Sequence, residues 1–287
     1  MIILLKSQFV QGLPPTLSAY SQIELGKSFY RKNTILNKGE GHSMFEATSL
    51  LFKTMVILGI ELGIVFLGCL FCLKRARLAY DQGRQFLGVE FIASLNDQNE
   101  IDLQPIEIDK NQAVSRALTA LMLVFIASMY AMVSTAQHSL TIGLTTMTIT
   151  SIAFAPVLAM IMLQMDENDG LRAMKLTILI TIATGVIGMY SGVDFSFMRG
   201  FLFFALLGLL ALRLVMLFTG FANGQKRVIA FGGAILFTLF LLYDFNRLAN
   251  LQDQGYNDWS TALNVAINLY LDVLNLLLEI LQAMGDS

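Results

Sequence analysis

Charge is what this sequence has least of. Only 14% of the 287 residues are Asp, Glu, Lys or Arg, against 55% hydrophobic residues, where a soluble domain carries about a quarter charged. A water-soluble core of this size needs polar faces along most of its elements, and that is excluded here. Charge gathers in the first ~45 residues, in Lys74–Lys110 and in short clusters between long apolar runs. The net charge of −2 gives no pull toward nucleic acid, so no nucleic-acid partner is expected. Cysteine is nearly absent: Cys69 and Cys72 sit inside an apolar run, which points to packing rather than to a disulfide framework or metal site. There is no Asn-x-Ser/Thr sequon, and Met1–Leu5 is too short for a signal peptide, so no cleavable targeting segment is expected.

What is abundant is apolar length. A helix crossing ~30 Å of hydrocarbon at 1.5 Å per residue needs about 20 mostly apolar residues. That ruler marks Glu46–Leu73, Ala113–Ala136, Leu140–Gln164, Arg172–Gly192, Phe197–Phe218, Lys226–Leu248 and Trp259–Met284 as spans. The expected protein is an all-α integral membrane protein, a seven-transmembrane helix bundle over residues 46–287, preceded by a polar tail over 1–45. Gly, Asn and Asp punctuate the links. The link after Gly192 is tight, so spans four and five are expected to form an antiparallel hairpin. The connection 74–112 is long, and its stretch Phe86–Ile108 is expected to fold at the membrane surface. With residues 1–45 it offers docking surface for membrane-protein partners; the bilayer itself is the other expected partner. Basic residues on both sides of span one (Lys27, Arg31, Lys32 and Lys38 before it; Lys74, Arg75, Arg77 and Arg84 after) nearly cancel, and the positive-inside rule selects no orientation. The host membrane (endomembrane, mitochondrial inner, bacterial or plasma) is likewise left open.

Ionisable groups inside a bilayer are costly and face a protein interior or a watery cavity. On the last span Asn264, Asn268, Asp272, Asn275 and Glu279 step by four, four, three and four residues, which places them within about 80° on one face. Such a stripe suits a seam lining an ion path or a buried hydrogen-bonded core. It also suits a polar interface without transport, or an amphipathic helix lying on the membrane. Asp244 precedes the turn at Gly255–Trp259 by nearly the number of residues by which Asp272 follows it. An antiparallel pair therefore brings the two carboxyls to similar depth. Two carboxylates in low dielectric cannot both ionise cheaply, and the pair shares a proton or holds a cation. The alternative is that each aspartate pairs with a base of its own. Glu61 in span one is expected to face the interior in support, and Lys53 and Arg213 are candidate counter-ions.

A resemblance then narrows the reading. Trp259-x-x-Ala262 through Leu269-Tyr270-Leu271-Asp272-Val273-Leu274-Asn275-Leu276-Leu277 resembles the closing signature of the transmembrane Bax inhibitor motif family. Tyr243-Asp244 with Asn246 resembles that family's Tyr-Asp-x-(Gln/Asn) ending of helix six. Gly192–Met198 followed by Gly200-Phe201-Leu202-Phe203 resembles its link between helices four and five. The resemblance implies a seven-helix bundle with the last helix near the centre. It also implies a calcium leak modulated by pH through two aspartates, which correspond to Asp244 and Asp272, and a role in calcium homeostasis and cell-death suppression. Calcium is then the expected permeant or bound ion at that pair, with no other cofactor and no enzymatic activity. Two departures stand out: the connection after span one is long, and the familiar Asp-Thr-Gln is Asp244-Phe245-Asn246. A structural or adaptor subunit that keeps the fold without transport is the alternative. An intramembrane aspartyl protease fits less well, because Leu269-Tyr270-Leu271 rather than Gly-x-Gly precedes Asp272.

Overall fold

The structure, a computed structural model, describes residues 48–95, 101–105, 116–135, 139–165, 167–219 and 222–285; the tail 1–45 and part of the connection 74–112 lie outside them. The chain divides into Met1–Ser49 and Leu50–Ser287. The second unit holds α1 (Leu50–Asp81), a hairpin of β1 (Phe91–Leu95) and β2 (Ile101–Pro105), α2 (Arg116–Thr135), α3 (Leu140–Leu163), α4 (Glu167–Tyr190), α5 (Met198–Thr219), α6 (Asn223–Asp253) and α7 (Trp259–Met284).

Among the described residues, six helices are long and apolar enough to cross a membrane. In α2 the apolar stretch is the shorter Thr119–Ser134. The helices match the expected spans one for one, with shifted ends. α1 continues past the expected Leu73 to Asp81, because Lys74-Arg75-Ala76-Arg77 is as good a helix former as the apolar run before it. α4 begins at Glu167, so the polar run expected as a break opens the helix instead. The surface segment of the long connection is an antiparallel hairpin pairing Phe91 with Pro105 and Leu95 with Ile101. Its Phe91 and Leu103 are buried, and β2 touches α3.

Helix α7 is the axis of the bundle, packed by α6, α1, α4 and α3. Nearly every residue from Ala262 to Leu277 is buried, which excludes a helix lying on the membrane surface. By contrast α5 packs mainly on α6. It buries Leu202, Leu206 and Leu209 while Phe201, Phe204, Leu212 and Phe218 face outward. Apolar side chains so exposed are where a bilayer solvates the protein. On α6 the inward residues Phe237, Phe240, Leu241, Asp244, Phe245 and Leu248 recur at helical spacing and form one stripe.

Close approach depends on small residues. A β-carbon on Gly188 of α4 would stand 2.8 Å from the Leu242 carbonyl oxygen and 2.8 Å from Phe245 Cβ on α6. The Gly59-x-x-x-Gly63 pair, of the same spacing, has nothing within 4 Å and mediates no such contact. Gly192 (φ +70°) and Gly255 (φ +87°) turn the chain after α4 and α6.

The α6–α7 turn is pinned at several points. Asp258 caps α7, its Oδ1 accepting from Thr261 N at 2.8 Å and its Oδ2 from Thr261 Oγ1 at 2.7 Å. The Gln252 Oε1 accepts from Leu51 N at 3.0 Å, satisfying one of the orphan donors of α1. Burial alone would push the Asp258 carboxyl up, but the Thr261 donors outweigh it and hold the group below the usual carboxylate range. The cap therefore contributes fully above about pH 4 and is lost as pH falls through the lower folded value. We predict that Asp258→Ala lowers stability at neutral pH by about 1 kcal/mol. The difference from the parent should disappear in acid when unfolding is followed in detergent. In the same assay, Gly188→Leu should lower the unfolding temperature sharply, because backbone as well as side chain stands in the way.

Candidate functional site: polar groups around the central helix

Helix α7 carries polar side chains on two faces, and each face meets a different neighbour. Asp244 on α6 and Asp272 on α7 are both 2% exposed. Their carboxyl groups are near enough to act on one another. Neither Asp244 Oδ2 nor Asp272 Oδ2 has a hydrogen-bond partner. Arg247, one turn further along α6, is near enough to act on Asp244 electrostatically. The two aspartates thus face each other, with Arg247 beside Asp244. Antiparallel packing across the Gly255 turn brings them level, and the inward stripe of α6 aims Asp244 at α7.

Tyr270 lies two residues before Asp272, about 200° around the helix, and points the other way. Its hydroxyl meets Ser151 Oγ of α3 at 3.0 Å, and Ser151 Oγ lies 2.7 Å from Glu61 Oε2 of α1. The other Glu61 oxygen accepts from Thr148 Oγ1 at 2.7 Å. A hydroxyl has one proton to give, so with Ser151 donating to Glu61, Tyr270 donates to Ser151. The result is a directed chain, Tyr270 to Ser151 to Glu61, that ties α7 to α3 and α1. Glu61 is 3% exposed and faces the interior. Ser151, Thr148 and Tyr270 were not singled out from sequence: threonine and serine are common in membrane helices, where they usually bond back to their own helix, as Thr150 does to Thr146.

The other sequence candidates fall at different levels of α7. Asn268 and Asn275 are buried on the stripe with Asp272. Asn264 does not join them: it is half-buried, and its Nδ2 donates to Ser260 O of its own helix at 3.0 Å. Glu279, also on the stripe, is paired with Arg213 of α5, which bonds Gln282 as well. Arg213 is therefore the counter-ion of a glutamate, not of an aspartate. Lys53 serves neither aspartate. It lies at the start of α1, where Nζ donates to the Asn257 carbonyl at 2.7 Å and to Asn257 Oδ1 at 3.3 Å, 5.4 Å from the Trp259 ring centroid. Among the described residues, no group of three or more His, Cys, Asp or Glu side chains converges as a metal cage would.

Asn246, two residues after Asp244, has a role that spacing alone does not reveal. Its Oδ1 accepts from Phe195 N at 3.0 Å, and its Nδ2 donates to Gly188 O at 3.1 Å and Val193 O at 2.9 Å. One amide side chain thereby staples the α4–α5 link to α6. In that link Asp194 accepts from Ser196 Oγ at 2.5 Å and Ser196 N at 2.9 Å, and these bonds hold its carboxyl below the usual range.

Two substitutions test these contacts. Ser151→Ala leaves a Glu61 oxygen and the Tyr270 hydroxyl without their partner and is expected to cost about 1–3 kcal/mol in detergent unfolding. Asn246→Ala frees two backbone groups of the link and the Gly188 carbonyl of α4, so hydrogen exchange at Val193–Phe195 should accelerate well before the helices around it respond.

Similarity to known proteins agrees with this geometry. The family described as Inhibitor of apoptosis-promoting Bax1 matches residues 47–287. An uncharacterized membrane protein of Vibrio cholerae is 29% identical over 114 residues, 40% of this chain and 48% of that one. An uncharacterized protein of Helicobacter pylori is 29% identical over 137 residues, 48% of this chain and 56% of that one. Protein LIFEGUARD 1 of Arabidopsis thaliana is 35% identical over 95 residues, 33% of this chain and 38% of that one. These matches span about half or less of each relative's length. The family match covers nearly all of the chain, and the helix count, the central α7 and the apolar exterior agree with it: the chain belongs to the Bax inhibitor family of multi-pass integral membrane proteins.

Proposed function

We propose that the protein is a pH-sensitive calcium leak channel of the Bax inhibitor motif type, with Asp244 and Asp272 as its sensor, acting in ion homeostasis and cell-death suppression. The observation that carries this reading is the meeting of two carboxyl groups from α6 and α7 in a dry interior. An ionised carboxylate only accepts hydrogen bonds, so two buried carboxyls side by side avoid facing bare charges by keeping a proton between them. When that proton leaves, two negative charges remain in a region of low dielectric, and a cation is the natural compensation. Proton and cation then compete for one place, and that is the chemistry a pH-sensitive ion path needs.

Two carboxyl groups supply at most four oxygens, whereas calcium takes six to eight. A calcium ion there keeps part of its water or borrows neighbouring carbonyl and amide oxygens. Such incomplete coordination suits passage rather than storage, because conduction needs a site weak enough to leave. The family description supports the cell-death role.

Asp244→Asn and Asp272→Asn, reconstituted in liposomes loaded with a calcium reporter, test the proposal. The parent protein should carry calcium at a rate that changes between acid and neutral pH, and each variant should lose most of that change. Folded variants with the parent's flux and the parent's pH response would overturn it.

A further inference from the structure

A second charged position lies on the same stripe of α7. Glu279 follows Asp272 by seven residues, about 10 Å along the axis and nearly the same direction around it. It is 3% exposed, and α6 makes room for it: a β-carbon on Gly233 would stand 2.5 Å from Glu279 Cδ and 2.6 Å from Oε2. The carboxylate thus lies against α6 backbone where any side chain would displace it. Its partner comes from α5. Arg213 bonds Glu279 through Nη2 and Gln282 through Nη1, while its buried Nε has no hydrogen-bond partner.

We propose that Glu279 and Gln282 form a second cation-binding position on the seam, and that the Arg213 guanidinium occupies it as a tethered competitor of calcium. The inference takes its ion from the channel reading but not its geometry. A carboxylate and an amide oxygen, set side by side one turn apart on α7 and backed by a glycine, make a cation acceptor. In this structure that acceptor holds a cation belonging to the chain. Two features make the occupant removable. The guanidinium leaves one donor unsatisfied, so it is held below its bonding capacity. It is also carried by α5, which packs mainly on α6 and turns most of its described surface outward. While Arg213 stays, it neutralises Glu279, and the position about 10 Å from the aspartate pair offers a free cation no charge to bind. When α5 shifts outward, an uncompensated buried carboxylate remains, and a free cation takes its place.

The test is Arg213→Gln beside the double variant Arg213→Gln/Glu279→Gln. Each is assayed for calcium flux in liposomes and for unfolding temperature in detergent with and without calcium. Arg213→Gln should pass calcium several-fold faster than the parent, and calcium should raise its unfolding temperature by several degrees. The parent and the double variant should show no such calcium stabilisation. Its absence in a folded Arg213→Gln overturns the proposal. So does faster flux of equal size in the double variant, which is loosened packing and not a vacated site. If removing one partner of a buried pair prevents folding, Arg213→Lys decides. A point charge cannot span Glu279 and Gln282 as the planar fork does. It should therefore give a smaller gain of both flux and calcium stabilisation, and parent-like behaviour in both overturns the proposal. If calcium stabilises Arg213→Gln while no variant conducts, the site stands and the channel reading falls. If the aspartates govern flux and Arg213→Gln is not stabilised, the reverse holds.

Discussion

A helix sealed inside other helices has nowhere to send its polar groups except to its neighbours. That constraint governs α7. Water is excluded and lipid tails offer no hydrogen bonds, so each polar side chain on it must find a partner on a particular helix at a particular height. The apolar effect that drives soluble folding is weak between helices already in lipid. The directional contacts therefore carry much of the information about which helix sits beside which. Tyr270 selects α3 and, through Ser151, α1; Asp272 selects α6; Glu279 selects α5.

Because Tyr270 and Asp272 point in nearly opposite directions from adjacent turns, α7 cannot rotate to relieve one contact without straining the other. The two faces form a single mechanical unit. Helix α5 meets the bundle through Arg213, bonded to Glu279 and Gln282, and through the buried Leu202, Leu206 and Leu209.

Much of this was legible in the sequence, for identifiable reasons. Long apolar runs have one interpretation, so the seven helices are readable in the sequence, but their ends are less so: α1 runs eight residues past Leu73 and α4 begins five before Arg172. The Asp244–Asp272 encounter was readable because helical rise is constant and a short turn fixes register. Pairing by charge alone was not: Lys53 and Arg213 found Asn257 and Glu279, since a side chain's direction around its helix is set by packing that spacing does not encode. Hydroxyl networks were invisible for a different reason. Ser151 and Thr148 are no different in sequence from Thr150, which merely bonds back along its own helix. The hairpin Phe91–Pro105 was hidden by short strands of mixed polarity.

The length of α1 has a mechanical consequence. Thirty-two residues rise about 48 Å, well beyond the ~30 Å hydrocarbon layer, and after Lys53 the next basic residue is Lys74. The last two turns, which carry Lys74, Arg75 and Arg77, therefore exceed what the hydrocarbon layer requires. Because the helix is continuous, Lys53 at the α6–α7 turn and Glu61 in the hydroxyl network are held at a fixed spacing on one rod.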